Sequence, residues 1–131
     1  MTERRLNITE ASKIKDFFER GLAVSVLSVG LELCDGSAIH CDRPVKNKWL
    51  DLKKRVTHPD FEVIEPSTRR SVHVEVTAGN NTSQHKRAQL RVVHRAGVTN
   101  YVQITGNQIL QLVNTEDSEQ KLFLLYTYFG W

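Results

Sequence analysis

Two acids in the middle of the chain have types and spacing suited to chemistry. Asp60 follows Pro59 at the start of a short apolar run, and Glu75 lies near the end of the next one. A hairpin between them would bring both carboxylates to the tips of neighbouring strands. Carboxylates that converge in this way hold a hard divalent cation such as Mg²⁺ or Mn²⁺, which takes oxygen ligands and keeps several waters. Such a cation lowers the pKa of an attacking water and offsets the charge on a scissile phosphate, and a nearby lysine orients the water or holds the phosphate. The same residues also read as an ordinary sheet surface. Pro-Asp before a strand is common turn chemistry, and Glu75 can pair across a sheet with Arg87 or Arg91.

The elements that must position these acids follow from periodicity. Phe61, Val63 and Glu65 alternate with Glu62, Ile64 and Pro66, which predicts a strand closed by Pro66. Ser67 to Arg70 reads as a turn. Val72, Val74 and Val76 then share one strand face, and His73, Glu75 and Thr77 share the other. After the polar Gly79-Asn80-Asn81-Thr82 turn, Thr82 to Gly97 has two readings. As a helix it is capped by Thr82 or Ser83, shows Lys86, Leu90 and Val93 on one face and stops at Gly97. As a strand, Ala88, Leu90, Val92, His94 and Ala96 alternate with Arg87, Gln89, Arg91, Val93 and Arg95. Tyr101 to Ile104 reads as a strand, Thr105-Gly106-Asn107 as a turn, and Gln108 to Val113 as a strand or a short helix. A polar loop from Asn114 to Gln120 leads to an aromatic strand, Leu122 to Phe129.

Upstream, Asn7 to Arg20 predicts a helix. Asn7 or Thr9 caps it, Ala11, Ile14, Phe17 and Phe18 give it an apolar face, and Gly21 stops it. Leu22 to Leu33 is apolar and valine-rich. Asp35-Gly36 follows as a hairpin signal, which predicts that Ala38 to Cys41 returns antiparallel until Pro44. Val45 to Val56 reads as an amphipathic helix with Val45, Trp49, Leu52 and Val56 on one side and lysines on the other.

Composition narrows the function classes. A length of 131 residues, 40% of them apolar and 25% charged, predicts one globular domain. No apolar run approaches the roughly 20 residues of a membrane span, so no membrane partner is expected. The opening MTERRLNITEAS lacks the apolar core of a secretory signal, which predicts a cytoplasmic or nuclear setting. Two cysteines, Cys34 and Cys41, make a poor zinc site without a second pair. The net charge of +3 and a pI near 9 lean towards a nucleic acid or another polyanion. No glycine-rich phosphate loop is present, and no serine or cysteine stands in a recognisable nucleophile motif.

The order Pro59-Asp60, Glu75-Val76-Thr77, a Thr/Ser-capped basic segment with Gln89, then Tyr101-Val102 resembles the PD-(D/E)xK nuclease superfamily. The resemblance covers about half of the chain. It implies an αβββαβ core, an α/β fold of a small mixed sheet with flanking helices, with the metal site at the strand tips. Asp60 and Glu75 would ligate Mg²⁺ or Mn²⁺, the Val76 carbonyl would be a third ligand, and Glu19 or Glu10 of the first helix would join them. The superfamily's lysine, two positions beyond the second acid, is Thr77 here. In that respect the chain is similar to the cap-snatching endonucleases of segmented negative-strand RNA viruses, whose lysine comes from the following helix. Lys86 takes that part only if Thr82 to Gly97 is helical.

Two other classes compete with a metal-dependent nuclease. One is a non-catalytic β-rich protein, a barrel or sandwich with an N-terminal helix, whose Lys86, Arg87, Arg91 and Arg95 contact the phosphates of DNA or RNA. The other is a self-assembling module that forms a homodimer by edge pairing of the C-terminal strand Leu122 to Phe129.

Overall fold

The computed structural model describes residues 4–47, 52–79 and 84–131. Its elements are α1 (Ile8–Ser12), α2 (Phe17–Ser28), β1 (Glu32–Asp35), β2 (Ile39–Asn47), β3 (Leu52–Thr57), β4 (Phe61–Ile64), β5 (Ser71–Thr77), α3 (Gln84–Arg95), β6 (Tyr101–Thr105), α4 (Gly106–Asn114) and α5 (Ser118–Phe129). The main sheet is mixed, in the order β1-β4-β5-β6. β1 and β5 run antiparallel to β4, and β6 runs parallel to β5 through the α3 crossover. β2 and β3 form a separate two-stranded ribbon, and no barrel closes among the described residues. The fold is thus the expected α/β one, with α2, three sheet strands, α3 and β6 in αβββαβ order.

Alternation along the strands sets the layers. Val63, Val72, Val74 and Ile104 are buried against Leu22, Val26, Ile109, Leu112 and Leu125 of α2, α4 and α5. Each such fully buried Val or Leu contributes about 1.5–3 kcal/mol relative to exposure. The other face of the sheet carries Glu62, His73, Glu75, Tyr101 and Gln103, and there α3 lies across it through Lys86. No helix among the described residues is long and apolar enough to cross a membrane.

Several expectations are corrected. The helix predicted over Asn7 to Arg20 is two helices. α1 ends at Ser12, and α2 restarts where the Asp16 side chain accepts the Glu19 N–H as an N-cap. Gly21 lies inside α2 and stops nothing. A Cβ there would meet the Ile109 and Val113 γ-methyls at 3.0 Å, so this glycine lets α2 and α4 pack closely. The Asp35-Gly36 pair makes no hairpin, because β1 pairs with β4 and the chain after it leaves for the ribbon. Cys34 and Cys41 are therefore buried thiols in different sheets. β2 runs past Pro44, which falls where the register shifts between His40 and Val45 and no ladder donor is needed. The amphipathic helix predicted from Val45 to Val56 is not formed by its described residues, 45–47 and 52–56, which belong to the ribbon, held by α3, whose Val92 and Ala96 pack on Cys41.

The C-terminal segment is a helix, not a strand. Asp117 caps it, Leu125 and Phe129 are buried one turn apart, and Gly130 ends it at φ 74°. An edge-paired homodimer therefore has no C-terminal strand to carry it. Gln108 to Val113 is helical as well, within α4, and Thr105 and Gln108 form its capping box. In the segment Thr82 to Gly97 the described residues, from Gln84 on, take the helical reading, with the stop at Gly97 (φ 76°). Its buried face is Ala88, Val92 and Val93, whereas Leu90 is 39% exposed. The expected caps Thr82 and Ser83, and Trp49, lie outside the described residues.

A polar clamp fixes α5 to the sheet. Glu65, at the end of β4, accepts hydrogen bonds from Thr68, Tyr126 and Arg70, and Arg70 lies over the rings of Tyr126 and Trp131. Trp131 is thus packed as a lid on this clamp. These donors, Thr68 first, hold the Glu65 carboxyl down at about 2, below its ordinary value of 4.5. A depressed carboxyl stabilises the fold above its unfolded pKa, and that gain is lost as pH falls through the folded one. The stability difference between wild type and Glu65→Gln, measured by thermal melting, is therefore expected to shrink as pH falls from about 4.5 to about 2.

Candidate functional site

Asp60 is placed by backbone packing. Asp35 of β1 stands opposite Phe61 of β4, so the Pro59-Asp60 turn lies directly on Gly36. The Gly36 N–H donates to the Asp60 carbonyl at 3.2 Å, and a Cβ on Gly36 would be 1.8 Å from the Pro59 carbonyl oxygen. Only glycine allows that approach. On the other side β4 pairs with β5 in the register Phe61↔Val74, so Asp60 faces the stretch after Val74. Its Oδ2 accepts the Val76 N–H at 2.8 Å, which makes the carboxylate the acceptor at the end of the ladder.

Three acids meet there. Glu75 projects from β5, Glu19 reaches in from the first turn of α2, and the Asp60 carboxyl is in hydrogen-bond contact with both. Lys86, in the first turn of α3, completes the group. Its Nζ lies 3.5 Å from Glu75 Oε2 and donates to the Val76 carbonyl at 3.2 Å. Burial pushes the Glu75 and Glu19 carboxyls up, and Asp60 adds to the rise in both, while Lys86 opposes it. The Glu75 side chain is only 4% exposed. A cleft of about 210 Å³ opens beside the acids, lined by Arg4, Glu10, Glu19, Asp35 and Asp60 among others.

The residues expected at the site thus separate. Asp60, Glu75 and Lys86 come together from the start of β4, from β5 and from α3. Of the two helix acids, Glu19 joins them, whereas Glu10 is turned to Arg4 at 3.0 Å on the cleft wall. Arg87, Arg91 and Arg95 recur every fourth residue along α3 and are exposed, on a helix face and not on the strand face of the alternative reading. His58 is exposed in a loop. Gln103 is not among the residues that the sequence singles out. It pairs in register with Glu75, and its Nε2 donates to the Lys86 carbonyl and to the Tyr101 hydroxyl, each at 3.1 Å. Gln103 thereby ties α3 to the sheet beneath Lys86. The signal for it is the alternation of Tyr101, Gln103 and Thr105, which places them on the Glu75 side once β6 runs parallel to β5. Burial pushes the Tyr101 hydroxyl up to about 12, so it stays protonated over the working pH range.

Among the described residues, no three acid, histidine or cysteine side chains stand ready-made around a cation. Asp60 lies against both Glu19 and Glu75, and burial raises those two glutamates. That sets a pH dependence. The Glu75 and Glu19 values, raised from 4.5 to about 8 and about 7, mean that the folded state holds protons the unfolded chain has released. A raised acid favours folding below its unfolded pKa, and this gain is lost as pH rises through the folded one. In EDTA the melting temperature is expected to fall between about pH 5 and 8. Glu75→Gln should flatten that fall and be more stable than wild type at about pH 8 by on the order of 2 kcal/mol. Gly36→Ala should cost about 3 kcal/mol in urea unfolding, because a backbone carbonyl must move. Comparison with protein-family models, curated proteins and solved structures finds no match for the chain.

Proposed function

We propose that this protein is a divalent-metal-dependent endonuclease that hydrolyses phosphodiester bonds. The observation that carries this reading is the meeting of Glu19, Asp60, Glu75 and Lys86, from four separate elements, at one end of the sheet. The donor set is all oxygen and anionic, which fits Mg²⁺ or Mn²⁺ better than a softer ion. Its crowding fits too, since Glu75 and Glu19, each raised by burial and by the neighbouring Asp60, ionise more readily when a counter-charge replaces their protons. Asp60 and Glu75 would hold the cation, with the Val76 carbonyl beside them. When bound, such a cation supplies an acidified water and a counter-charge for the phosphate.

The remaining chemistry belongs to the side chains. Glu19 is half-buried and keeps its proton affinity near neutrality, so it is suited to take the proton of the attacking water. The water oxygen then bonds to phosphorus as the leaving oxygen departs with the bonding pair. Lys86 is held by the Val76 carbonyl at a fixed point beside Glu75, where its ammonium offsets the negative charge that builds on the phosphoryl oxygens. Thr77 needs no part in this, because the helix delivers the lysine.

Calorimetry with Mn²⁺ is expected to show binding that Asp60→Ala and Glu75→Ala each abolish. Lys86→Met should keep Mn²⁺ binding and cut the cleavage rate of labelled DNA or RNA by about 10²–10³-fold. Mn²⁺ binding that is absent, or indifferent to both acids, rejects the reading. The exposed arginines of α3 favour a second one, nucleic-acid binding without hydrolysis. In that case binding in EDTA persists and no substrate is cut with Mn²⁺.

A further inference from the structure

The basic charge of this chain is not spread evenly. β2 and β3 carry five of the 18 Lys/Arg (Arg43, Lys46, Lys53, Lys54, Arg55) and one of the 15 Asp/Glu. α3 adds Lys86, Arg87, Arg91 and Arg95 and no acid. Together they hold +8 of formal charge in a chain whose total is +3, so the rest of the molecule is at −5. The two elements are also one body, since α3 packs on both strands of the ribbon. The first turn of α3 ends in the acid cluster, so the basic body begins where the candidate site lies.

We infer that the β2–β3 ribbon with α3 is a docking arm for double-stranded DNA, lying along its backbone and groove and leading the duplex towards the acid cluster. Three observations support a nucleic-acid occupant of this form. In the ribbon register Lys46 stands opposite Lys53, and Lys54 opposite Val45. Like charges at directly opposed positions weaken a hairpin, a cost that a polyanion over them removes. A two-stranded ribbon outside the main sheet is marginal alone, and this one is borne by α3 and not merged into the core sheet. Its width suits the B-form major groove, which admits a two-stranded ribbon, whereas the deep, narrow major groove of A-form RNA does not. Single strands need exposed aromatic platforms. Among the described residues the strongly exposed aromatics, Phe17 and Phe123, are on α2 and α5, across the sheet from α3.

The inference deepens the nuclease reading by naming its substrate and docking surface, but duplex binding needs no cleavage, so the two fail separately. The test is fluorescence anisotropy in EDTA over a series of NaCl concentrations, with a short labelled DNA duplex, the RNA duplex of the same sequence and the single DNA strand. The DNA duplex is expected to bind most tightly. Lys46→Gln, Lys53→Gln and Lys54→Gln combined should weaken it at least ~10-fold and reduce the slope of log K against log [NaCl] by about 0.9 for each phosphate that is no longer neutralised. The three Lys→Arg replacements should restore affinity and slope, and Lys121→Gln on α5 should change neither. Circular dichroism melts of the same variants separate weakened binding from failure to fold, and the Arg variants keep the test decisive if the Gln variants melt early. Unchanged affinity and slope in the folded Gln variant overturn the inference, as does equal or tighter binding of the RNA duplex or the single strand. Intact duplex binding with no Mn²⁺-dependent cleavage overturns the nuclease reading alone.

Discussion

The hydrogen bond from the Val76 N–H to the Asp60 carboxylate is the constraint on which the rest of the site depends. Where β4 ends, β5 would leave that N–H without a strand partner, and Asp60 fills the place with a side chain. The bond costs little in itself, yet it pins a carboxylate at a buried sheet end, where Glu75 and Glu19 have no choice but to meet it. Burial and the neighbouring Asp60 then raise both glutamates, and Lys86 intrudes as the cation that relieves them. A sheet end that merely needed closing could use a backbone turn. Three acids and a lysine packed there are a standing electrostatic cost, of the kind found where proteins do chemistry.

The scaffold gives up freedom to hold this arrangement. Gly36 has no space for a Cβ beneath the Pro59 carbonyl, and Gly106 has none between the Ala78 carbonyl and the Phe18 ring. These two contacts bracket the ends of β4 and β5, one on each side of the acids. On the same face of the sheet as Glu75, Gln103 holds the Lys86 carbonyl so that the first turn of α3 cannot slide away from Glu75. The clamp of Glu65, Arg70, Tyr126 and Trp131 lies at the opposite end of β4, where it fixes α5 and leaves the acid end open to the cleft.

The ribbon and α3 give the molecule two electrical halves. The helical layer of α2, α4 and α5 builds the apolar core, while the ribbon and α3 collect the basic residues. Lys86 belongs to both halves, since it is a member of the basic helix whose amine sits among the acids. That dual membership joins the basic surface of α3 to the acid cluster.

Much of this is legible in the sequence. Asp60 and Glu75 are visible as a pair because a two-residue alternation puts Glu75 opposite the valines, and the β4–turn–β5 hairpin follows from Pro66 and the same alternation. The helix of 84–95 is half legible: its charged face fits both a helix and a strand, and only the burial of Ala88, Val92 and Val93 against the ribbon and sheet decides for the helix. The segments that mislead are those whose partners are distant. Leu122 to Phe129 is apolar at almost every position, which erases its period until Leu125 and Phe129 find the core. β2 and β3 alternate too weakly to declare a ribbon until α3 packs on them. Asp35-Gly36 imitates a hairpin because a local pair cannot reveal that Pro59 will press on it from 23 positions away. Which residues are acidic, and their order along the chain, are determined by the sequence alone. That Glu19 and not Glu10 joins them, and that Lys86 arrives in place of Thr77, is decided only by tertiary packing, because both depend on contacts between elements far apart in the chain.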